Sequence, residues 1–227
     1  LKNHNVLLRA APGAGKSTLL MRHLLEHSPI NGKIIVLQPR RVVVRALATY
    51  IATSLGEHVG DRVGYQIRGE TKHSKSTQLL FVTEAILARR LMTDPELADV
   101  GLIVFDEFHE RNVHSDFGLA LALEVQQILR EDLRLMVMSA TLALPELESM
   151  FGDSAVIEVP GRQFPIDYHY RPMATTRLDI EHVARVVAEA MRSHKGDVLV
   201  FLPGQGEIHR CVEQLLIQQK RGTVPDC

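Results

Sequence analysis

The chain contains no tryptophan, and only 5% of its residues are aromatic. Stacking of nucleobases on aromatic platforms is therefore not an evident mode for it. Cysteine is scarce as well, with Cys211 and Cys227 the only two, both near the C-terminus. Two in this length make no disulfide framework, so a reducing compartment, the cytoplasm, is expected. An excess of either charge is missing: 26 Lys and Arg face 27 Asp and Glu, for a formal net charge of −1. That excludes a general coat for polyanions, and any such contact must come from a local patch. No apolar run is long and unbroken enough to span a bilayer, and there is no recognisable secretory signal. Low-complexity segments and short-period repeats are absent too. His109 and His114 do not have the i, i+4 spacing of a helical metal pair, and no structural metal is expected. What is present is 227 residues at 45% hydrophobic, enough to bury the core of one large domain or one and a half ordinary ones. The first residue is Leu1, so the start is expected to be cut from something longer.

Against that background the stretch Ala10-Ala-Pro-Gly-Ala-Gly-Lys-Ser17 stands out. It follows the apolar run Val6-Leu7-Leu8 and opens into Thr18-Leu19-Leu20-Met21, the order strand, glycine loop, helix. Such a loop turns several backbone N–H groups toward one point at the positive end of a helix, where a polyphosphate binds. Gly13 and Gly15 let the backbone bend and approach the phosphate without a Cβ in the way. Lys16 reaches the β- and γ-phosphates, and the Ser17 hydroxyl holds Mg²⁺. The candidate nucleotide-binding set is Ala10, Pro12, Gly13, Ala14, Gly15, Lys16, Ser17 and Thr18. Ala10 departs from G-x-x-x-x-G-K-[ST], which asks for glycine there, and alanine is its smallest replacement.

Short β-branched runs then alternate with longer segments of helical period. Strands are expected at Lys33–Leu37, Leu79–Val82, Leu102–Phe105, Leu135–Met138 and Ala155–Val159. Helices are expected at Val42–Leu55, Glu84–Met92 with Thr83 as N-cap, Phe117–Leu129 and Pro145–Phe151. The wholly apolar Leu102–Phe105 suits the centre of a parallel sheet covered on both faces. This βαβ series predicts an α/β, doubly wound parallel sheet with ligands at the carboxyl ends of the strands. Pro160-Gly-Arg-Gln-Phe-Pro165 breaks the pattern, dividing the chain into domains 1–162 and 163–227. The second series has strands at Ile166–Tyr170 and Val198–Leu202 and two amphipathic helices, with Cys211 on an apolar stripe. It has too few strands to close a sheet, so a complete first lobe and a truncated second one are expected.

Asp106-Glu107-Phe108-His109 directly follows the Leu102–Phe105 strand. A carboxylate at a buried strand end, beside a phosphate loop, suits Asp106 to hold Mg²⁺ and Glu107 to polarise an attacking water. Ser17, Asp106 and Glu107 are the candidate metal residues. Lys16, Asp106, Glu107 and His109 are the candidate catalytic ones.

Asp106-Glu107-Phe108-His109 resembles the DEAH box of superfamily 2 ATP-dependent RNA helicases, and Glu110-Arg111 continues it. Further stretches agree in order. Gln38-Pro39-Arg40-Arg41 resembles motif Ia, Thr83-Glu84 motif Ib, Ser139-Ala140-Thr141 motif III and Leu199–Gly204 the motif IV region. Val63–Arg68 is also typical of the group. Phe108 in place of alanine, the run Leu119–Leu123 and Phe201–Ile208 resemble the bacterial HrpB-type branch.

The resemblance implies a RecA-like P-loop lobe followed by the start of a second. It implies a motor on single-stranded RNA or DNA that uses ATP, or other NTPs, with Mg²⁺. In it His109 senses the γ-phosphate and couples to Ser139 and Thr141. Arg40, Arg41 and the Thr83 hydroxyl meet backbone phosphates, contacts that position a strand without reading bases. Arg89 and Arg90 are expected on a solvated surface. The family also uses arginines in a Q-R-x-G-R stretch of its second lobe, and this sequence has none. The chain alone is thus expected to bind nucleotide, hydrolyse it feebly and leave duplexes intact. The second lobe is expected to be completed by residues beyond this chain. The alternative is an ATP-gated nucleic-acid-binding switch that grips without moving. A small-molecule kinase fits less well, for want of a lid with paired arginines.

Overall fold

The computed structural model describes residues 5–11, 13–27, 29–140, 144–152, 154–160, 165–173 and 177–222. The chain divides into two compact units, Leu1–Gln163 and Phe164–Cys227.

The first unit is built on eight strands. They are β1 (Asn5–Ala10), β2 (Lys33–Leu37), β3 (Val63–Ile67), β4 (Glu70–Lys72), β5 (Leu79–Val82), β6 (Val100–Phe105), β7 (Arg134–Ser139) and β8 (Ser154–Val159). They form one sheet in the order β4-β3-β5-β2-β6-β7-β1-β8. Every pairing is parallel except that of β4 with β3. Helices α1 (Met21–His27), α2 (Arg41–Ser54), α3 (Glu84–Thr93), α4 (Val113–Ile128) and α5 (Leu144–Phe151) connect the strands.

The double winding follows from the two-residue period of the strands. Leu7, Ile35, Leu37, Ile103 and Phe105 point to one face, into a core shared with Leu87 of α3, Leu119 of α4 and Phe151 of α5. The intervening Val6, Leu8, Ile34, Val36 and Val104 point to the other, against Met21 of α1 and Val44 and Ile51 of α2. Strands that bury both faces must be apolar throughout, as β6 is. Each large side chain buried this way contributes about 1.5–3 kcal/mol. Gly101 is required where the Ile30–Gly32 turn crosses β6, since a Cβ there would lie 2.1 Å from the Asn31 carbonyl oxygen. A buried reciprocal amide pair fastens α4 to β1: Asn5 donates to Gln126 at 3.0 Å and Gln126 donates back at 2.9 Å.

Register aligns the carboxyl ends of the inner strands. Leu37 of β2 lies opposite Phe105 of β6 and Val82 of β5. Arg9 of β1 lies opposite Ser139 of β7. The phosphate loop, Gln38, Thr83, Asp106 and Ser139 therefore all leave from one rim of the sheet.

Several local expectations differ from the structure. Strands β3 and β4 form a hairpin that the alternating pattern did not reveal. Helix α4 begins at Val113, ahead of Phe117, because the Asn112 side chain accepts the His114 N–H and starts the turn there. Thr83 occupies the N-cap position of α3, but its side chain makes no capping hydrogen bond.

The second unit contains α6 (Ile180–Ser193) and α7 (Gln205–Lys220), packed through Ala184, Val187, Ala188 and Cys211. The segments expected as strands, Ile166–Tyr170 and Val198–Leu202, are not strands. Leu199 and Phe201 are 79% and 86% exposed. Their composition favours a pleated, covered setting, but a strand needs a neighbouring backbone to accept and donate its hydrogen bonds. Among the described residues of this unit no such neighbour stands beside them. In neither unit is any described helix long and apolar enough to cross a membrane.

Candidate nucleotide-binding site

The loop after β1 turns through Gly13 and Gly15, with φ of 77° and 78°. These left-handed values favour glycine and place backbone N–H groups around a concavity. Its first helical turn, Lys16–Leu20, is a wide π-turn closed by Leu20 N–H donating to Gly15 at 3.1 Å. The Thr18 N–H also turns to the Gly15 carbonyl, at 3.3 Å. Lys16 is buried, and its amine donates to the carbonyls of Ala10 at 2.7 Å and Ala11 at 3.0 Å. Ala10 itself is buried at the end of β1, so its carbonyl rather than its N–H serves the site. Pro12 lies outside the described residues.

Asp106 emerges one residue past β6, opposite this loop, and only 3% of it is exposed. The Ser17 hydroxyl is near enough to favour the charged form of its carboxylate. The Glu107 N–H donates to Asp106 Oδ1 at 2.9 Å, and the Gln38 amide donates to Oδ2. Burial pushes the Asp106 carboxyl above the usual aspartate range, and the Glu107 charge adds to this. Ser17, the Glu107 backbone and Gln38 work in the opposite direction.

This donor set suits Mg²⁺. Ser17 and Asp106 would offer hard oxygens from neighbouring loops, and a divalent cation would relieve the cost of burying the carboxylate. Among the described residues no three His, Cys, Asp or Glu side chains converge. The remaining ligands would thus be phosphate oxygens and water, the usual habit of this ion.

Glu107 sits in the left-handed region, with φ 52° and ψ 35°. For a non-glycine residue that is uncommon backbone, of the kind that clusters at functional sites. It throws the carboxylate out of the strand direction, so Asp106 and Glu107 serve different directions. His109 Nδ1 is 3.4 Å from Glu107 Oε2 and receives the Ala140 N–H at 3.4 Å. The acidic loop and the segment after β7 therefore meet at this ring. Ser139 is fully buried at the end of β7, and Thr141 lies outside the described residues. Phe108 anchors the loop from beneath, edge-on to Phe105 at 6.3 Å, with the Arg111 guanidinium 5.7 Å from its ring centre.

The candidate strand-contacting residues lie farther along the same rim. Arg40 is exposed and paired with Glu110 at 2.7 Å. Arg41 donates to the Arg68 carbonyl at 2.8 Å. Arg90, expected on a solvated surface, instead donates twice to Gln66, at 2.6 and 3.2 Å. Behind Thr83, burial raises the Glu84 carboxyl, with His114 opposing this and Glu110 and Asp116 adding to it.

Gln38 is the site residue that sequence reasoning passed over. It stood only as the first letter of a motif, yet it is 2% exposed and holds Asp106. A polar side chain directly after the apolar β2, before proline, was the available signal.

The family described as DEAD/DEAH box helicase matches residues 1–150. The chain belongs to the DEAD/DEAH box helicase family. This helicase-family chain is 48% identical over 210 residues to the ATP-dependent RNA helicase HrpB of Escherichia coli K12, covering 92% of this chain and 26% of that protein. It is 35% identical over 220 residues to the ATP-dependent RNA helicase HrpA of Borreliella burgdorferi, covering 95% of this chain and 27% of that one. A crystal structure of the E. coli DEAH/RHA helicase HrpB superimposes with a TM-score of 0.88 at 45% identity, over 98% of this chain and 28% of that one. The helicase-family chain thus spans about a quarter of the length of the relatives it matches.

Proposed function

We propose that this chain is the ATP-binding portion of an ATP-dependent RNA helicase motor, with Leu1–Gln163 as a RecA-like lobe and Phe164–Cys227 as the start of a second. The observation that supports this reading is the shared rim of the sheet, where the register of β1 with β7 and of β2 with β6 leaves the phosphate loop and the buried Asp106 carboxylate at the same ends of their strands. In this reading that rim holds both the triphosphate and its metal ion.

In this reading the backbone from Gly13 to Thr18 cradles the phosphates. The Lys16 amine leaves the Ala10 and Ala11 carbonyls for the β- and γ-phosphates. Ser17 and Asp106 hold Mg²⁺, which neutralises charge on the phosphate oxygens when bound. Glu107, aimed away from Asp106 by its backbone, orients water and accepts its proton. Its neighbour His109 joins that carboxylate to the Ala140 backbone, next to Ser139. Arg40, Arg41 and Thr83 receive the phosphates of a single strand.

An arginine supplied to the transition state is worth on the order of a thousandfold or more in rate. Without a Q-R-x-G-R stretch, the chain by itself binds nucleotide and turns it over feebly. Multiple-turnover ATPase assays with and without single-stranded RNA test this, beside direct nucleotide titration. Tight binding with slow, RNA-insensitive turnover is expected. Brisk RNA-stimulated turnover refutes the feeble-hydrolysis claim, and failure to bind nucleotide refutes the reading as a whole.

A further inference from the structure

The second unit carries eight Arg and Lys and eight Asp and Glu, so it is neutral as a whole. Its charge is nevertheless unevenly placed. A groove of about 690 Å³ between α6 and α7 is lined by four of those cations, Arg171, Arg185, Arg192 and Arg221, together with His182. Only one carboxylate, Glu189, lines it.

The helical repeat explains the row. His182, Arg185, Glu189 and Arg192 recur at spacings of three and four, which places them along one stripe of α6. The neighbouring stripe, Ala184, Val187 and Ala188, is buried. Arg171 approaches from the extended segment before α6 and pairs with Glu189 at 2.8 Å. His182 fixes that approach by a 3.2 Å bond from Nε2 to the Arg171 carbonyl. Arg171, together with the more distant Arg192, holds the Glu189 carboxyl below its usual range. Glu189 is thus already satisfied, while Arg185, Arg192 and Arg221 make no ion pair among the described residues. Arg221 closes the groove from the C-cap of α7.

Arg185 and Arg192 are about 10 Å apart along the helix, at 1.5 Å per residue. That is longer than one phosphate and suits a chain of them. Planar guanidiniums are also the side chains best matched to phosphate oxygens. We propose that the groove between α6 and α7 is a second contact site for the phosphodiester backbone of single-stranded RNA, carried by Arg185, Arg192 and Arg221. This rests on the nucleic-acid partner proposed above but not on the Arg40 and Arg41 contacts. No base is read here, so the site is sequence-independent.

The test is equilibrium binding of a labelled single-stranded RNA to the 227-residue chain across a salt series, with helix content followed by circular dichroism. Each lost phosphate contact on a single strand flattens the slope of log affinity against log salt by about 0.7. The Arg185→Ala/Arg192→Ala variant should therefore lose about 1.4 in slope and bind roughly 25-fold more weakly at 0.1 M salt, the gap closing toward 1 M. Glu189→Gln should bind more tightly. Arg185→Lys/Arg192→Lys, which keeps the charge, should retain the slope. An unchanged slope in the alanine pair with helix content intact overturns the proposal. If the alanine pair loses helix content, Glu189→Gln becomes the deciding variant, and no gain in affinity there overturns the proposal equally. An Arg40→Ala/Arg41→Ala arm separates the two readings. If only that pair flattens the slope, this groove is not a site. If no variant does, the nucleic-acid reading itself fails.

Discussion

Replacing Gln38 with methionine removes one of two hydrogen-bond donors to the buried Asp106 carboxylate while nearly conserving side-chain volume. A hydrogen bond to a charged group contributes about 1.5–3 kcal/mol. The Glu107 N–H remains, so the lower part of that range applies, about 2 kcal/mol at neutral pH. For a unit of this size that corresponds to a fall in Tm of roughly 4–8 °C. The pH dependence identifies the cause. Asp106 has a carboxyl raised by burial, so the native state keeps a proton that the unfolded chain has released. Stability therefore falls as pH rises through the window that opens at the ordinary aspartate value and ends at the raised one. Gln38 favours the charged form, so its loss pushes the carboxyl higher still and widens that window. The gap between wild type and Gln38→Met is full above the window and shrinks as pH falls through it. Thermal unfolding at a series of pH values measures this directly. A gap that stays constant with pH would mean that Gln38 fills space and does not hold the charge.

Gln126→Leu should cost about 1–3 kcal/mol in urea unfolding, because the Asn5 amide is left buried without its partner. Asn5→Leu/Gln126→Leu should recover much of that loss, and simple additivity in the double-mutant cycle would show the pair to be uncoupled. Gly101→Ala should cost about 3 kcal/mol or more by forcing the Ile30–Gly32 turn off β6, seen as a lower denaturant midpoint with nucleotide affinity measured alongside. Phe108→Ala should cost about 3–5 kcal/mol, although alanine is the letter found in a DEAH box. A Tm change under 2 °C would show that the ring is not the anchor of the acidic loop.

The parallel core of the first unit was legible because its strands are buried on both faces and its helices are not. Val100–Phe105 is apolar at every position, while Arg41–Ser54 alternates buried and exposed residues with helical period. The β3–β4 hairpin was not legible. Gly64 and Gln66 interrupt its pattern, and glycine is present there because the Lys72 carbonyl would lie 2.6 Å from a Cβ, a contact that exists only once the hairpin has closed. Val198–Leu202 misled in the opposite direction, having strand chemistry without a strand beside it. At the site, the Lys16 loop and the acidic pair were visible as motifs. Gln38 was hidden because its role depends on the register of β2 against β6, which no local pattern encodes. The left-handed turn at Glu107 and the ring contact between His109 and Ala140 are tertiary facts of the same kind.

The loops after β2 and β6 are stitched together at two points, by Gln38 on Asp106 and by Arg40 on Glu110. The first stitch is buried and permanent. The second is in water, where an exposed ion pair contributes little and exchanges freely. A phosphate drawn to the Arg40 guanidinium competes with Glu110 for it, and Glu110 ends the short turn that carries His109 and follows Glu107. If a strand is bound as proposed, a phosphate drawn to Arg40 would weaken its hold on Glu110 and so loosen the tie between the two loops.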